Sequence, residues 1–179
     1  MYPVEFEYQA PGTVAEAVAL LEQNEDAKIL AGGHSLLPML KLRLSQPSLV
    51  VDIGRISELS GITEEGDSLR LGATTTQVMI QDSDLVRRRA PLLAETADHV
   101  GDPQVRNRGT IGGTLAHGDP AADQTAAFLA LGGSVLVVGP SGEREIAADD
   151  LFVDMLTTAL EPNEVLVSVR VPVQGAHTG

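Results

Sequence analysis

Residues 28–38 read Lys-Ile-Leu-Ala-Gly-Gly-His-Ser-Leu-Leu-Pro, an apolar run that meets two glycines and then a second apolar segment. Residues Lys28–Ala31 predict a β-strand, and Leu36–Leu40 predict a short helical turn with Pro38 near its start. A tight turn at a strand end needs residues that tolerate positive φ, which glycine does freely. Successive N–H groups in such a turn form an anion-binding nest, and Ser35 adds a hydroxyl donor. For this motif alone, a plain structural turn is an equal alternative.

The segments around this turn predict a small first lobe. Thr13 and Glu16 have the spacing of a capping box, which predicts a helix that continues to about Gln23. The apolar run Leu49–Ile53 predicts a buried strand, which Gly54 closes. We therefore expect a small mixed lobe of β-α-β-β order over residues 1–53.

Residues 54–179 predict a second, larger lobe. Its predicted elements are hairpin strands 61–64 and 68–72, helices 77–83 and 90–100, a helix opened by Asp119-Pro120 and ended by Gly132-Gly133, and hairpin strands 134–138 and 143–146. The last predicted strand, 165–171, has valines at every second position and therefore one apolar face. This order predicts an α+β fold with antiparallel hairpins.

A second glycine segment lies about 75 residues beyond the first. Residues 109–114 read Gly-Thr-Ile-Gly-Gly-Thr and again offer small residues, N–H groups and hydroxyls. Asp123 follows near the start of the next predicted helix, where its carboxylate could accept hydrogen bonds from the hydroxyls of a sugar-like chain. On spacing alone, an acid favoured by the helix dipole is the stronger interpretation of Asp123.

Composition excludes several classes of function. The formal net charge of −13 argues against nucleic acid, which needs a basic footprint. The absence of cysteine excludes disulfides, a thiolate nucleophile and an ordinary iron–sulfur cluster in this chain. Four scattered histidines without metal-ligand spacing argue against a metal site. The glycine motifs match neither a nicotinamide Rossmann fingerprint nor a P-loop.

Other features have two interpretations each. Arg106 and Arg108 would meet a phosphate or a partner subunit, or pair with Asp98 or Asp102. The run of arginines at 87–89 predicts a solvated helix start or a docking surface. The N-terminus has no signal-peptide pattern and no apolar run reaches membrane-spanning length, so we expect a cytoplasmic protein.

Taken together, the glycine motifs resemble one family. The stretches A-G-G-H-S-L-L-P at 31–38, R-N-R-G-T-I-G-G-T-L-A-H at 106–117 and D-P-A-A-D at 119–123 are similar to the FAD-binding medium subunit of molybdenum hydroxylases. This group includes carbon monoxide, xanthine, and aldehyde or nicotine dehydrogenases. The opening residues 6–18 and the closing N-E-V-L-V-S-V-R-V-P at 163–172 fit as well, so the resemblance spans essentially the whole chain.

The resemblance implies a fold and a set of cofactor contacts. The fold would be the two-lobed FAD-binding architecture of vanillyl-alcohol-oxidase-like (PCMH-type) flavoproteins. The two glycine segments would hold the pyrophosphate and ribityl chain, Asp123 would contact the ribityl or isoalloxazine region, and Leu166 would pack near the flavin ring. His34 would shape the pocket without acting as an acid or base. The predicted FAD-binding residues are Ala31, Gly32, Gly33, His34, Ser35, Leu36, Thr110, Ile111, Gly112, Gly113, Thr114, Asp123 and Leu166.

The resemblance also implies a division of labour between subunits. A large molybdopterin subunit would oxidise the organic substrate, and a small subunit would relay electrons through two [2Fe–2S] clusters to FAD. The flavin would pass them to a quinone, NAD or oxygen, in a dimer of heterotrimers. This chain would therefore contribute no catalytic residue and no metal ligand.

Two departures from the family pattern qualify these expectations. Thr114 stands where the family commonly has Asn, so local contacts are expected to differ. Family members usually continue into a C-terminal domain that carries a Tyr and basic residues near the flavin ring. Without that domain, we expect FAD to bind weakly or not at all.

Two alternative functions remain for this chain. They are a stand-alone flavin oxidoreductase of the same superfold and an assembly module without cofactor.

Overall fold

The computed structural model describes residues 2–175, and the first lobe contains a three-stranded sheet. Its strands β1 (Glu7–Gln9), β2 (Lys28–Leu30) and β3 (Leu49–Asp52) lie in the order β1-β3-β2. Helix α1 (Val14–Gln23) connects β1 to β2, and α2 (Leu36–Lys41) connects β2 to β3. Both pairings are parallel, because each helical crossover returns the chain in the same direction.

The predicted capping box opens α1. The Thr13 hydroxyl accepts a hydrogen bond from the N–H of Glu16 at 3.2 Å, and the Glu16 carboxylate accepts one from the N–H of Gly12 at 2.8 Å. The capped helix presents Ala17, Val18 and Leu21 to the sheet side of the lobe, where all three are buried. Local sequence therefore determines this helix start, as the spacing predicts.

The second lobe is built on a five-stranded antiparallel sheet in the order β4-β5-β10-β6-β7. Both predicted hairpins are confirmed, and a small pair of strands that the sequence did not reveal lies beside the sheet. The strands are β4 (Ile62–Glu65), β5 (Ser68–Gly72), β6 (Ser134–Gly139), β7 (Gly142–Ala147), β8 (Phe152–Asp154), β9 (Thr157–Thr158) and β10 (Val165–Pro172).

Short helices cover this sheet. They are α3 (Gln77–Asp82), α4 (Asp84–Arg89), α5 (Pro91–His99), α6 (Pro103–Arg108), α7 (Ile111–His117), α8 (Asp123–Ala130) and α9 (Ala148–Leu151), with a 3₁₀ turn at Ser57–Leu59. The arginines at 87–89 end α4, whereas the sequence placed them ahead of a helix start. Among residues 2–175, no helix combines the length and apolarity that a bilayer crossing requires.

The predicted start of α8 at Asp119-Pro120 is wrong. The Asp119 carboxylate accepts a hydrogen bond from the N–H of Ala121, only two residues on, at 2.9 Å. This bond closes a local turn, and the helix begins three residues after Pro120, at Asp123, with Ala122 as its N-cap. An aspartate before proline is typical both of a helix cap and of such a turn, so the motif alone did not decide between them.

Strand β10 joins the two lobes. A bulge between Leu166 and Ser168 breaks the predicted alternation of valines. Val165 and Val167 pack in the core of the first lobe, together with Leu59 from the 3₁₀ turn. Leu166 and the later valines pack in the larger second core. The start of β10 is thus buried on both faces, because it lies between the two cores. The division at residues 53 and 54 stays a prediction.

Candidate functional site

The two glycine segments meet where the lobes touch. A Cβ atom added to Gly32 would lie 2.0 Å from the carbonyl oxygen of Arg108 and 3.1 Å from the Cα of Gly109. Real Cβ contacts are never so short, so only glycine permits this approach of two backbones. Gly32 follows β2 of the first lobe, whereas Gly109 precedes α7 of the second. The seam between the lobes therefore depends on the absence of a side chain at residue 32.

A cavity of about 350 Å³ opens along this seam, a size within the range of small-molecule sites. Most of the predicted site residues line it. They are Ala31, Gly32, Gly33, His34, Ser35, Leu36, Thr110, Gly112, Gly113, Thr114 and Leu166. Ile111 and Asp123 are not among the lining residues. Ile111 is fully buried in the core of the second lobe, and Asp123 is an exposed residue at the start of α8.

The first glycine segment presents a run of free backbone donors. Within residues 2–175, the N–H groups of Gly32, Gly33, His34 and Ser35 donate to no protein acceptor, and the hydroxyl of Ser35 has no partner either. The carbonyl groups of Gly33 and Ser35 accept hydrogen bonds from α2, at 3.0 and 3.3 Å. Gly33 has a φ of +81°, a left-handed conformation of the kind found in backbone anion nests. This arrangement is suited to an anion such as a diphosphate.

The second glycine segment is different, because most of its N–H groups donate to protein acceptors. The amides of Ile111 and Gly112 donate to the carbonyls of Thr75 and Ala73, at 3.0 and 2.9 Å. The Gly113 amide donates to the Thr110 hydroxyl at 3.2 Å, because Thr110 is the N-cap of α7.

The glycines of this segment have a packing role. A Cβ on Gly112 would lie 2.6 to 2.8 Å from atoms of Ala73, so a side chain there would push α7 away from the end of β5. The hydroxyl of Thr114, where the resembling family commonly has Asn, donates to the Thr110 carbonyl at 3.0 Å. The segment therefore shapes the cavity wall and places few free polar groups in it.

The cavity also has a lining that sequence reasoning missed. These additional residues include Lys28, Met39, Ser45, Leu156, Leu160 and Glu164. Leu156 comes from the unforeseen β8–β9 pair, and no local pattern in the sequence placed it near the glycines. Lys28 is the first residue of the predicted strand Lys28–Ala31, and Glu164 directly precedes the predicted strand 165–171, so these positions at strand starts are the one signal available. His117, the last residue of α7, also lines the cavity.

Glu164 is held by an ion pair at the cavity wall. Both of its carboxylate oxygens accept hydrogen bonds from Arg144, each at 2.7 Å, and the N–H of Glu161 donates to it at 2.8 Å. The side chain of Glu164 is only 9% exposed. The hydrogen bonds from Arg144 lower the pKa of Glu164, while burial opposes that shift more weakly. This part of the cavity wall is therefore formed by an ionised carboxylate whose charge is balanced by the guanidinium of Arg144.

The other predicted polar contacts differ from expectation. In the described part of the chain, Arg106 and Arg108 form no ion pair, so pairing with Asp98 or Asp102 is wrong. The Arg106 guanidinium donates to the carbonyl of Val100, and Asp102 caps α6. Residues 2–175 contain no cluster of three or more metal-binding side chains.

Comparison with known proteins identifies the family. The model for the FAD binding domain in molybdopterin dehydrogenase matches residues 4–174. The chain belongs to this family. FAD is therefore the cofactor of the domain, and the free amides beside the cavity are suited to its diphosphate. The predicted fold class is confirmed by solved relatives with the same α+β architecture.

Several relatives are similar along the whole chain. The carbon monoxide dehydrogenase medium chain of Hydrogenophaga pseudoflava is 52% identical over 180 residues, covering 100% of this chain and 63% of the relative. The nicotine 6-hydroxylase medium subunit of Paenarthrobacter nicotinovorans is 44% identical over 165 residues, covering 92% of this chain and 58% of the relative.

Solved structures show the same partial coverage. Carbon monoxide dehydrogenase from Hydrogenophaga pseudoflava superposes with a TM-score of 0.96 at 53% identity, covering 98% of this chain and 62% of the solved one. Quinoline 2-oxidoreductase from Pseudomonas putida 86 has a TM-score of 0.95 at 37% identity, covering 97% and 61%. The chain thus spans about 60% of the length of the relatives it matches.

The contact at Gly32 yields a first prediction. Gly32→Ala places a Cβ against the Arg108 carbonyl, so the two backbones must separate. We expect a loss of about 1–3 kcal/mol in the free energy of unfolding, measured by urea denaturation. Gly101→Ala is the matched control, because nothing lies within 4 Å of its added Cβ. Equal stability of the two variants would contradict the close contact.

The ion pair at the cavity wall yields a second prediction. Glu164→Gln removes the charge that Arg144 binds, and we expect a loss of about 1–2 kcal/mol in unfolding free energy at neutral pH. Because the folded pKa of Glu164 lies below its ordinary value of 4.5, the wild-type advantage is complete above that pH. It should shrink as the pH falls below 4.5 and Glu164 becomes protonated.

Urea denaturation of both proteins across this pH range measures the difference. Glu143→Gln is the control, since Glu143 is an exposed neighbour of Arg144 on β7. A difference between wild type and Glu164→Gln that does not change with pH would show that the ion pair contributes no stability.

Proposed function

We propose that this chain is the FAD-binding part of the flavin subunit of a molybdenum hydroxylase. In this proposal, electrons pass from [2Fe–2S] clusters of a partner subunit through FAD to an external acceptor such as a quinone, NAD or oxygen. The observation that carries the proposal is the run of free amides at residues 32–35, which adjoins the cavity at the seam between the lobes. Membership of the FAD-binding family supports it.

The free amides account for diphosphate binding in an acidic protein. The chain has a formal net charge of −13, and Lys28 is the one Lys or Arg among the described residues that line the cavity. Backbone N–H groups carry partial positive charge and are fixed by the fold, so they bind a diphosphate without a cluster of cations. We assign this role to the amides of Gly32, Gly33, His34 and Ser35.

The apolar wall of the cavity accounts for the flavin ring. No Phe or Tyr of residues 2–175 lines it, so the ring contacts available are aliphatic, from residues such as Leu160 and Leu166. We retain the contact of Asp123 with the ribityl chain as a proposal. Since Asp123 is exposed and not among the lining residues, this contact requires the cofactor to reach the start of α8.

The chemistry divides between cofactor and protein. When bound, FAD supplies a carrier that takes up and releases electrons. The residues of this chain bind the diphosphate, orient the ring and exclude water from it, and none is assigned as an acid or a base. We propose that a molybdopterin large subunit and a [2Fe–2S] small subunit complete the complex, as a dimer of heterotrimers in the cytoplasm. The relatives' names, medium chain and medium subunit, support a multi-subunit complex.

Binding of FAD through the first glycine segment is testable. Gly33→Ala forces a side chain into a backbone conformation with φ of +81° and against Leu37, which distorts the run of amides. We expect FAD affinity to fall about ten-fold, measured by fluorescence titration of the purified chain. Riboflavin, which has no phosphate, should bind both proteins equally.

Gly66→Ala is the matched control for backbone strain. Gly66 has a φ of +60° with nothing within 4 Å of an added Cβ, and it lies in the β4–β5 turn away from the cavity. Its substitution should lower stability in a similar way but leave FAD affinity unchanged. A wild-type chain that gives neither a perturbed flavin spectrum nor co-elution with FAD, even with the partner subunits present, would contradict the proposed function.

Electron transfer from a partner is tested separately. The chain is co-expressed with the reading frames that neighbour its own gene, and the complex is purified with FAD bound. The complex is then mixed anaerobically with the organic substrate of the large subunit. We expect bleaching of the flavin absorption after reduction of the [2Fe–2S] clusters. Flavin reduction by substrate in the isolated chain would favour a stand-alone flavin oxidoreductase instead.

A further inference from the structure

Leu156 combines backbone strain with exposure. Its φ is +56°, and only Arg43, at +59°, shares this conformation among the non-glycine residues of 2–175. A bulky side chain in the left-handed region is a genuine outlier that costs free energy, and such outliers concentrate at functional sites. Leu156 is also 55% exposed and belongs to neither hydrophobic core. Packing within the protein therefore does not compensate for the strain.

The surrounding hairpin holds Leu156 in place. Its N–H donates to the carbonyl of Gly118 at 3.0 Å, which fixes the β8–β9 tip to the end of α7. Asp154 accepts a hydrogen bond from the N–H of Met155 at 2.7 Å, inside the same tip. Phe152, at the base, packs edge-to-face on the buried Phe128 with ring centroids 6.3 Å apart. The strained conformation is thus built into an anchored hairpin.

The orientation of the tip distinguishes Leu156 from its neighbours. Val153 and Met155 are 66% and 69% exposed, but they do not line the cavity, whereas Leu156 does. Leu160 and Leu166 line the same cavity and pack at the second core, on the side of the seam opposite β2. Leu156 therefore extends an aliphatic surface that has no aromatic member.

We propose that Leu156 is a positioning residue that packs on the isoalloxazine ring of FAD. The inference rests on the proposed function and adds one contact to it, made by the β8–β9 hairpin. The flavin ring is the largest apolar part of the cofactor, and covering it removes apolar surface of both ring and side chain from water. This gain offsets the strain and the exposure that Leu156 carries without a ligand.

The test uses two substitutions with opposite expectations. Leu156→Asn introduces a polar residue that tolerates positive φ, so the melting temperature of the chain without FAD should stay unchanged or rise. The same variant should bind FAD about five- to ten-fold more weakly in a fluorescence titration. Leu156→Met keeps an apolar side chain and should bind FAD nearly as well as the wild type.

Arg43→Asn is the matched control for relief of strain. Arg43 has nearly the same φ but does not line the cavity, so this variant should gain stability and keep the wild-type affinity for FAD. ADP, used as a competitor, reports on the diphosphate and adenine alone. Its affinity should be the same for wild type and Leu156→Asn, because the proposed contact is with the flavin ring.

The outcomes separate this inference from the proposed function. Absence of FAD binding by the wild type, even with the partner subunits present, overturns both. Normal wild-type binding with unchanged affinity in Leu156→Asn overturns the role of Leu156 alone and leaves the proposed function standing. Equal weakening of FAD and ADP by Leu156→Asn would assign the contact to the diphosphate or adenine and also overturn it.

Discussion

The structure depends on the contact between the Cα of Gly32 and the carbonyl of Arg108. At this point β2 of the first lobe ends and the segment leading to α7 of the second begins, with no space for even one methyl group between them. The contact brings two glycine segments together across about 75 residues of chain. Residues of both lobes line the cavity at this seam, so that cavity exists only where this approach is possible.

The two segments that meet there have different physical roles. Within residues 2–175, the N–H groups of residues 32–35 have no protein acceptor, whereas the amides of Ile111, Gly112 and Gly113 all donate to protein acceptors. The glycines of the second segment serve close packing against Ala73, and their position defines the cavity wall. Similar sequence motifs thus provide donors in one lobe and shape in the other. Free amides also suit an acidic chain, since they bind an anion without added cations.

Local patterns predicted the elements whose causes are local. The capping box at Thr13 and both hairpins of the second sheet follow from spacings within a few residues, and the structure confirms them. Patterns with two local solutions were less informative, as Asp119 shows by closing a turn ahead of α8. The alternation of valines in β10 failed at the bulge near Val167, because that strand is buried between two cores and not at the surface of one.

By itself, the sequence determined the α+β class, the family and most of the residues that line the cavity, because glycine motifs and helix caps are encoded by neighbouring residues. Only the tertiary structure decided which amides remain free, since their occupation depends on acceptors such as Thr75 and Ala73. It also placed Leu156 and Glu164 at the cavity and left Asp123 outside its lining. These positions arise from contacts between segments distant in the chain, which no short-range pattern records.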